Sequence, residues 1–521
     1  MRRRPQCKTL DLIYLSGFGS LDPLFEIELD LAAGGSSRNT SRNLHRQLKM
    51  AIVEGRLPPG AKLPATRRSA AYFGVSRNTV AEVYERLLNE GCVVTRRGSG
   101  TYVAERAPAS TLQTSHVNGH ARPFPLNAFW LRPDVTAAMG FWSGAEAASR
   151  PMSDQPQIDL RPAVVDSRLF PLDVFRRVSV KELRRLETKP ARRKGPQGNQ
   201  GHFPLRAAIT GHIALTRAVA CRPDDVLVTS GAQQAFDLLA RVLVTPGKTV
   251  VAVEDPGYPP MRVPFSAAGA RVVPVGVDCE GLVVEQLPAD ASVICLCPSH
   301  QFPLGVTMSA RRRNALLDFA RRYGAVVIED DYDGEFRYEG APLEALRTRD
   351  AAASVFYVGT FSKCMLPAFR LGFIIAPDWA MPALVAAKNC LDWHAATPLQ
   401  MAVARFISEG HLARHVRRMR DIYRRRRQLL LKSLEEELGR WLVPGSSYYG
   451  LHVAALTRAP LDLDAITDTL GQSNVRLHTL ERYYLGPHTH TGFVLGYGVA
   501  DLPELKQGLA LLRKAFLQVS F

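Results

Sequence analysis

From Ile158 onward, short apolar segments alternate with segments long enough to form helices. The short segments are rich in Val, Ile and Leu, which is typical of strands that are buried on both faces. Strands that alternate with helices predict an α/β domain with a mainly parallel sheet. We expect strands over residues 226–228, 249–253, 272–275, 293–296, 325–328 and 355–358.

The length and the charge of the chain predict more than this one domain. Its 521 residues exceed the usual domain size of roughly 100–200 residues. The net charge of +17 favours a polyanionic partner, and residues 38–106 carry thirteen Lys and Arg against five Asp and Glu. We expect a basic N-terminal domain over 38–106, an Ala-, Ser- and Pro-rich linker over 107–157, and the α/β domain over 158–521.

The basic segment begins with signals for two helices. Apolar residues recur at helical spacing over 44–54, and Pro58-Pro59-Gly60 is expected to end that helix because proline cannot continue it. Thr66 is placed to cap a second helix that runs to Phe73.

A third helix and a hairpin follow directly. Gly74 provides a turn, and Ser76 is placed to cap a helix over 77–89. Two strands over 92–96 and 100–103 are then joined by Arg97-Gly98-Ser99. Helix, short turn and helix, followed by a basic hairpin, predict a winged helix-turn-helix that binds the major groove of DNA.

The start of the third helix offers side chains suited to reading bases. Arg and Asn have bidentate fits to guanine and adenine, and an Arg at the start of the second helix can hold a phosphate. We expect DNA contacts from Arg67, Ser76, Arg77, Asn78, Thr79, Arg97 and Gly98.

These motifs together resemble the GntR family of winged-helix regulators. The resemblance covers the whole basic segment. It is carried by the runs Leu63-Pro64-Ala65-Thr66-Arg67, Gly74-Val75-Ser76-Arg77-Asn78-Thr79-Val80, Glu90-Gly91 and Arg97-Gly98-Ser99-Gly100-Thr101-Tyr102-Val103.

The most specific motif of the α/β domain surrounds Lys363. A lysine in a pocket can form a Schiff base with an aldehyde cofactor, and the nearby Thr360, Ser362 and Arg370 suit a phosphate group. The stretch from Tyr357 to Gly372 resembles the cofactor-lysine signature of fold type I, aspartate-aminotransferase-like proteins, which implies pyridoxal phosphate.

A carboxylate is needed beside the pyridine nitrogen of such a cofactor, where it keeps the ring protonated. Asp330 ends a predicted strand and is expected in this position, although Asp331 or Glu329 remains open as the partner. Tyr332 is then expected to reach the phenolic oxygen of the ring.

Upstream segments supply the remaining contacts. Gly231, Ala232 and Gln233 open a helix after a strand, where backbone N–H groups can hold the cofactor phosphate. Tyr258 can stack on the ring, and His300 offers a polar group near its oxygen.

An aminotransferase-like domain behind a GntR-like domain resembles the MocR subfamily of regulators. The resemblance implies pyridoxal phosphate held as an internal aldimine on Lys363, and a head-to-tail homodimer. The sequence departs from the aminotransferase pattern in two places. The asparagine that contacts the ring oxygen has no clear match, with His300 or Gln301 as stand-ins. The late arginine that binds a substrate carboxylate is absent from 493–497, and Arg262 and Arg482, elsewhere in the sequence, are the candidates to replace it.

We therefore expect a transcriptional regulator that responds to an amine or to pyridoxal phosphate itself, with little or no turnover. The alternative is a working aminotransferase that carries a DNA-tethering domain. A DNA-binding protein that has lost its cofactor is disfavoured by the set Asp330, Tyr332, Lys363 and Arg370.

Three further features complete these expectations. Arginines between Arg414 and Arg427 lie on a predicted helix and form either a second DNA contact or, more simply, a solvated face. No apolar run is long enough to span a membrane, so we expect a bacterial cytoplasmic protein. The scattered cysteines predict reduced thiols and no metal site.

Overall fold

The computed structural model describes residues 37–96, 98–105, 126–141, 157–188, 199–340 and 344–519. Its contacts divide the chain into two compact units, Met1–Pro125 and Leu126–Phe521. Arg97 and most of the predicted linker lie outside the described residues. The expected boundaries at 38–106, 107–157 and 158–521 stay predictions. Among the helices described, none is long and apolar enough to cross a membrane.

The first unit consists of three helices and a small antiparallel sheet. Its strands follow the order β1-β3-β2. Leu44, Leu48, Val80, Val83 and Leu87 form the centre of its apolar core, and each is fully buried. The elements are α1 (Ser37–Val53), β1 (Lys62–Leu63), α2 (Thr66–Phe73), α3 (Arg77–Asn89), β2 (Val93–Arg96) and β3 (Gly100–Val103).

The structure confirms the second and third helices and the hairpin, and it corrects two details. Ser76 caps α3, because its side chain accepts a hydrogen bond from the backbone N–H of Thr79. Thr66 caps nothing; it is the first residue of α2, and the cap position is held by Ala65 without a side-chain bond. The first helix ends at Val53, before the prolines that we expected to end it.

The second unit contains twelve described helices around a large sheet. The helices are α4 (Pro133–Met139), α5 (Leu172–Thr188), α6 (Phe203–Arg217), α7 (Ala232–Leu243), α8 (Pro259–Ala267), α9 (Ala310–Tyr323), α10 (Leu346–Arg349), α11 (Met381–Leu391), α12 (Thr397–Ser408), α13 (His411–Glu436), α14 (Leu463–Gln472) and α15 (Leu502–Val519).

The strands of this unit belong to three sheets. They are β4 (Ile158–Asp159), β5 (Val226–Thr229), β6 (Val250–Asp255), β7 (Arg271–Asp278), β8 (Gly281–Leu282), β9 (Ala291–Leu296), β10 (Val326–Asp331), β11 (Val355–Thr360), β12 (Gly372–Ile375), β13 (Leu442–Pro444), β14 (His452–Thr457), β15 (Val475–Arg476), β16 (His478–Thr479) and β17 (Gly492–Gly496). The large sheet has the order β5-β12-β11-β10-β9-β6-β7-β8, and an antiparallel sheet has the order β13-β14-β17-β16. β15 and β4 form a separate parallel pair.

All six predicted strands are present in the large sheet, within a few residues of their expected bounds. β11, β10, β9, β6 and β7 pair in parallel. The unpredicted β12 lies antiparallel between β5 and β11. Because β12 is antiparallel to both of its neighbours, β5 runs in the same direction as β11 and β10. Their carboxyl ends therefore meet at one edge of the sheet, where ligands of open α/β sheets bind.

Apolar cores cover both faces of the large sheet. Short segments after the first unit contribute to them. Phe141 is buried among Tyr258, Tyr483 and their neighbours, and Val135 and Ala138 of α4 pack on Val263 of α8.

Candidate functional site

A cavity of about 400 Å³ lies at the carboxyl ends of β5, β10 and β11. Its size suits a small organic ligand. Nine of the residues that we predicted line it, namely Ala232, Gln233, Tyr258, Asp330, Tyr332, Thr360, Ser362, Lys363 and Arg370. The sequence did not identify the other lining residues, which are Met139, Arg161, Ala163, Val164, Pro260, Phe302 and Pro367.

Lys363 lies just after β11 and is half-buried in the cavity wall. Its Nζ donates a hydrogen bond of 2.5 Å to the carbonyl of Ala163. Ala163 has a φ of 56°, a left-handed conformation that is costly for alanine. Burial lowers the pKa of Lys363 to about 8, against the raising effect of Asp333 and Asp330. A larger fraction of Lys363 is therefore in the neutral, nucleophilic form near neutral pH than of an ordinary exposed lysine.

Asp330 is buried at the end of β10. Its Oδ1 has no hydrogen-bond partner among the described residues, and Oδ2 accepts only a long contact of 3.8 Å from the Cys297 thiol. Burial, together with Asp331 and Asp333, raises the pKa of Asp330 to about 8. A cationic donor in the cavity would satisfy the orphan oxygen and stabilise the carboxylate. A protonated pyridine nitrogen is such a donor.

The neighbouring acids already have partners. Glu329 accepts hydrogen bonds from the backbone N–H groups of Leu346 and Arg347, at 2.9 and 3.1 Å. Asp331 forms a buried ion pair with Arg217 and accepts a hydrogen bond from Tyr357. This geometry favours Asp330, rather than either neighbour, as the carboxylate that faces the cavity.

The opposite end of the cavity can hold an anion. Gly231, at φ 83°, precedes the first residue of α7, and a Cβ there would lie 3.1 Å from the guanidinium of Arg370. Thr360 donates a hydrogen bond to Ser362 Oγ at 3.0 Å. Two hydroxyls, a guanidinium and the start of a twelve-residue helix converge here, which suits a phosphate group.

Aromatic side chains form one wall. Tyr258 and Phe302 line the cavity and meet edge to face, with ring centroids 5.8 Å apart. The Gln233 side chain donates to the carbonyl of Pro260 at 3.0 Å. Tyr258 therefore lies in the cavity wall, and its stacking on a cofactor ring stays a prediction.

The two suggested replacements for the missing asparagine do not line the cavity. Gln301 is buried, and its amide bonds the carbonyls of Pro256 and Phe302. His300 lies behind Tyr332, with its Nδ1 2.8 Å from the tyrosine hydroxyl. Phe302, two residues further on, faces the cavity instead. His300 can act on a ligand only through Tyr332.

The suggested substitutes for the carboxylate-binding arginine are also elsewhere. Neither Arg262 nor Arg482 belongs to the described lining of the cavity. Arg161 does, and its Nε and Nη2 bind both oxygens of Asp159, at 2.9 and 2.6 Å. Arg161 lies two residues after the short strand β4, and its nearness to this strand was the signal available in the sequence. The cation on this side of the cavity is therefore already paired within the chain.

In the first unit, the predicted base-reading residues lie at the start of α3. Arg77 and Asn78 are exposed on its first turn, and Arg67 is exposed on the first turn of α2. The hydroxyls of Ser76 and Thr79 lie 2.8 Å apart and bond each other. Ser76 and Thr79 therefore stabilise the helix start, and Ser76, Arg77 and Asn78 are all exposed to solvent. The DNA contacts of these residues stay predictions.

The hairpin between β2 and β3 is basic on its surface. Gly98 has a φ of 74° in its turn, a left-handed conformation that favours glycine. Arg96 and Lys62 lie over the ring of Tyr102, with the charged groups 4.8 and 5.8 Å from its centroid. Arg97 lies outside the described residues, and the sequence did not single out Tyr102 or Lys62.

The arginines of α13 do not form one solvated stripe. Arg414, Arg417, Arg418 and Arg425 are exposed, but Arg426 and Arg427 are buried. Arg426 pairs with Asp166, and Arg427 pairs with Glu339 at 2.7 Å. At least these two arginines have a structural role.

Each of the two units matches a known protein family. Residues 40–103 match the bacterial regulatory proteins of the gntR family, and residues 170–456 match the aminotransferases of class I and II. A kynurenine aminotransferase from Pyrococcus horikoshii has the same fold, with a TM-score of 0.64 and 25% identity over 73% of this chain and 98% of its own. The chain thus joins a GntR-type winged helix to a fold type I aminotransferase domain.

Relatives with this same combination identify the family. The chain is 32% identical to a probable rhizopine catabolism regulatory protein, MocR of Rhizobium meliloti, over 91% of this chain and 93% of the relative. It is 30% identical to the pyridoxine biosynthesis transcriptional regulator PdxR of Corynebacterium glutamicum, over 91% and 95%. The chain belongs to the MocR subfamily of GntR-family transcriptional regulators, whose aminotransferase-like fold binds pyridoxal phosphate.

The cavity fits this cofactor. The orphan Oδ1 of Asp330 suits the ring nitrogen, Lys363 suits the aldehyde, and Arg370 with the start of α7 suits the phosphate.

We expect Lys363→Ala to lose the visible absorbance of the bound cofactor, because no other lysine lines the described cavity. Borohydride reduction of the wild-type protein, followed by peptide mapping, should label Lys363. Lys388 is the matched control, since it too is buried with a lowered pKa but is paired with Asp392. A label on Lys388, or on any other lysine, would disprove the assignment.

The lowered pKa of Lys363 also predicts how cofactor loading depends on pH. The neutral amine is the reactive form, so the rate at which cofactor-free protein acquires visible absorbance should rise with pH, with a midpoint of about 8. A small primary amine of ordinary pKa, measured beside the protein, should show its rise at higher pH. A protein profile that coincides with the small amine contradicts the predicted environment of Lys363.

We expect Arg77→Ala to weaken operator binding by about 1–3 kcal/mol and to relax selectivity at one base pair. Arg86→Ala is the matched control, because it removes the same charge from the last turn of α3, where Arg86 pairs with Glu82. Titration of operator and scrambled duplexes measures both variants. Equal effects of the two substitutions would remove Arg77 from base recognition.

Proposed function

We propose that this chain is a ligand-responsive transcriptional regulator, in which pyridoxal phosphate on Lys363 couples a small-molecule amine to operator binding. The observation that carries the proposal is the composition of the cavity. Asp330, Lys363, Arg370 and the start of α7 offer contacts for the cofactor, whereas the cation on the other side of the cavity, Arg161, is already bound to Asp159. Such a site holds a cofactor well but grips the carboxylate of a substrate weakly.

The side chains of the cavity have distinct roles in this proposal. Asp330 keeps the ring nitrogen protonated, Arg370 and the start of α7 bind the phosphate, and Tyr258 packs on the ring. When bound, the cofactor supplies an aldehyde carbon that exchanges one primary amine for another. Lys363 is the amine that this chain contributes. Once released, Lys363 can take up a proton, which changes the charge of a pocket that already contains Asp330.

An effector can shift DNA affinity only by binding one arrangement of the protein better than another. Typical coupling of about 1–3 kcal/mol corresponds to roughly 5–150-fold in affinity. We propose a double-stranded operator read by Arg77 and Asn78, a head-to-tail homodimer, and action in the bacterial cytoplasm. The two bacterial regulators that match nearly the whole chain support these proposals.

A working aminotransferase is the second candidate function. The similarity of the second unit to a kynurenine aminotransferase favours it, and a released Lys363 is also a potential base. Transamination further requires a substrate held firmly with its reacting proton aligned. The buried apolar stretch Phe493, Val494 and Leu495 of β17 places no charge where an arginine was expected. This geometry favours the regulator.

The two functions predict different results with amines. Purified protein is mixed with a panel of amino acids and simple amines, and the visible absorbance, keto-acid release and operator affinity are followed together. We expect an amine that perturbs the absorbance to change operator affinity by at least 5-fold, without multiple turnovers. Lys363→Ala should not respond. Rapid turnover at unchanged operator affinity would establish the enzyme instead.

A further inference from the structure

A cluster of buried polar side chains lies behind the cavity wall and has no role in the proposed function. His300, Asp333 and His452 are 3%, 1% and 0% exposed. The His300 and Tyr332 rings are stacked, with centroids 5.7 Å apart, and Tyr332 also lines the cavity. Polar groups this deeply buried are costly unless their hydrogen bonds are satisfied. His300 connects Asp333 to Tyr332, so its hydrogen bonds determine how the cluster can affect the cavity.

One nitrogen of His300 faces two oxygens. Nδ1 lies 2.9 Å from Asp333 Oδ2 and 2.8 Å from the Tyr332 hydroxyl. A ring nitrogen carries at most one proton, so Nδ1 either donates to these oxygens or accepts from one of them. The position of this proton fixes the direction in which the tyrosine hydroxyl can donate.

The surroundings favour a proton on Nδ1. A bare Nδ1 would point its lone pair at the Asp333 carboxylate. The proton would then be on Nε2, which is buried without a partner among the described residues. The ring of His452 lies close, with its centroid 4.9 Å from that of His300, but it offers no acceptor within hydrogen-bond distance of His300 Nε2. With the proton on Nδ1, His300 donates to Asp333, and Tyr332 faces an N–H.

We propose that His300, held by Asp333, is a positioning residue that turns the proton of the Tyr332 hydroxyl into the cavity. The tyrosine oxygen then accepts from His300 Nδ1, and its own O–H donates to a ligand on the other side. This inference rests on the proposed function, in which that ligand is the phenolic oxygen of the cofactor. It supplies the donor that Phe302 cannot provide from the neighbouring position.

Other charged and titratable groups lie around the cluster and enter any pH profile. Their side chains come from β6, β9, β10, β14, α6 and the loops beside these elements and after β11. They are Glu254, Cys297, Asp330, Asp331, Lys363, Arg217, Tyr449 and His452.

The test is the pH midpoint of the visible absorbance of the lysine-bound cofactor. A hydrogen bond donated to the phenolic oxygen weakens the hold of that oxygen on the adjacent imine proton, so its loss should raise the midpoint. We expect Tyr332→Phe and His300→Leu each to raise it by about one pH unit. Because His300 acts through Tyr332, the double variant should shift no further than either single variant.

Two controls separate positioning from packing. His300→Asn keeps an N–H donor close to the place of Nδ1 and should restore the wild-type midpoint. His478 is a second buried histidine whose Nδ1 lies 2.8 Å from a tyrosine hydroxyl, that of Tyr483, and it is outside the cavity lining. We expect His478→Leu to leave the midpoint unchanged.

An unchanged midpoint in His300→Leu that still holds cofactor, or fully additive shifts in the double variant, would overturn the inference. Nitrogen-15 spectra of labelled histidine give an independent answer in the wild-type protein. A proton found on Nε2 of His300 rather than on Nδ1 contradicts the proposal even if His300→Leu fails to fold. A wild-type protein that never develops the absorbance contradicts the proposed function itself, which distinguishes the two failures.

Discussion

The burial of Asp330 is the constraint on which the site depends. A carboxylate at the end of β10, with one oxygen lacking any partner among the described residues, is costly to keep ionised. Its pKa of about 8 shows this cost, and Lys363 in the same cavity has a pKa of about 8 for the same reason, burial. A cofactor that brings a protonated ring nitrogen and an aldehyde relieves both. The buried carboxyl group of Asp330 and the amine of Lys363 are thus complementary to the ring nitrogen and the aldehyde of pyridoxal phosphate.

The parallel strands explain why these groups meet. β5, β10 and β11 end at one edge of the sheet, so Ala232, Asp330 and Lys363, which are far apart in sequence, surround one volume. The sequence allowed this arrangement to be predicted, because buried strands are recognisable as apolar runs and the chemistry follows directly after them. The short β12 was not recognised, although it separates β5 from β11. Its four residues follow the cofactor-lysine motif too closely to stand out as a separate segment.

The parts that could not be predicted are those set by tertiary contacts. The choice among Glu329, Asp330 and Asp331 needed the positions of Arg217 and of the Leu346 backbone, which no local pattern reveals. Arg161 reaches the cavity from the segment after β4, far before Lys363 in the sequence, and Phe302 occupies a place where a polar residue was expected. In the first unit, local signals sufficed for α3 because its cap is a contact between Ser76 and Thr79, three residues apart. Thr66 was misassigned because a capping residue type is not itself evidence of a capping bond.

A ligand-responsive regulator must communicate the state of this cavity to DNA binding. This coupling is measured by the operator affinity of the same protein preparation with and without pyridoxal phosphate, at fixed salt because phosphate contacts make affinity strongly salt-dependent. We expect the two affinities to differ by at least about 5-fold, the lower end of ordinary coupling between sites. Identical affinities, with the cofactor shown to be bound, and no change on adding any amine, would contradict it.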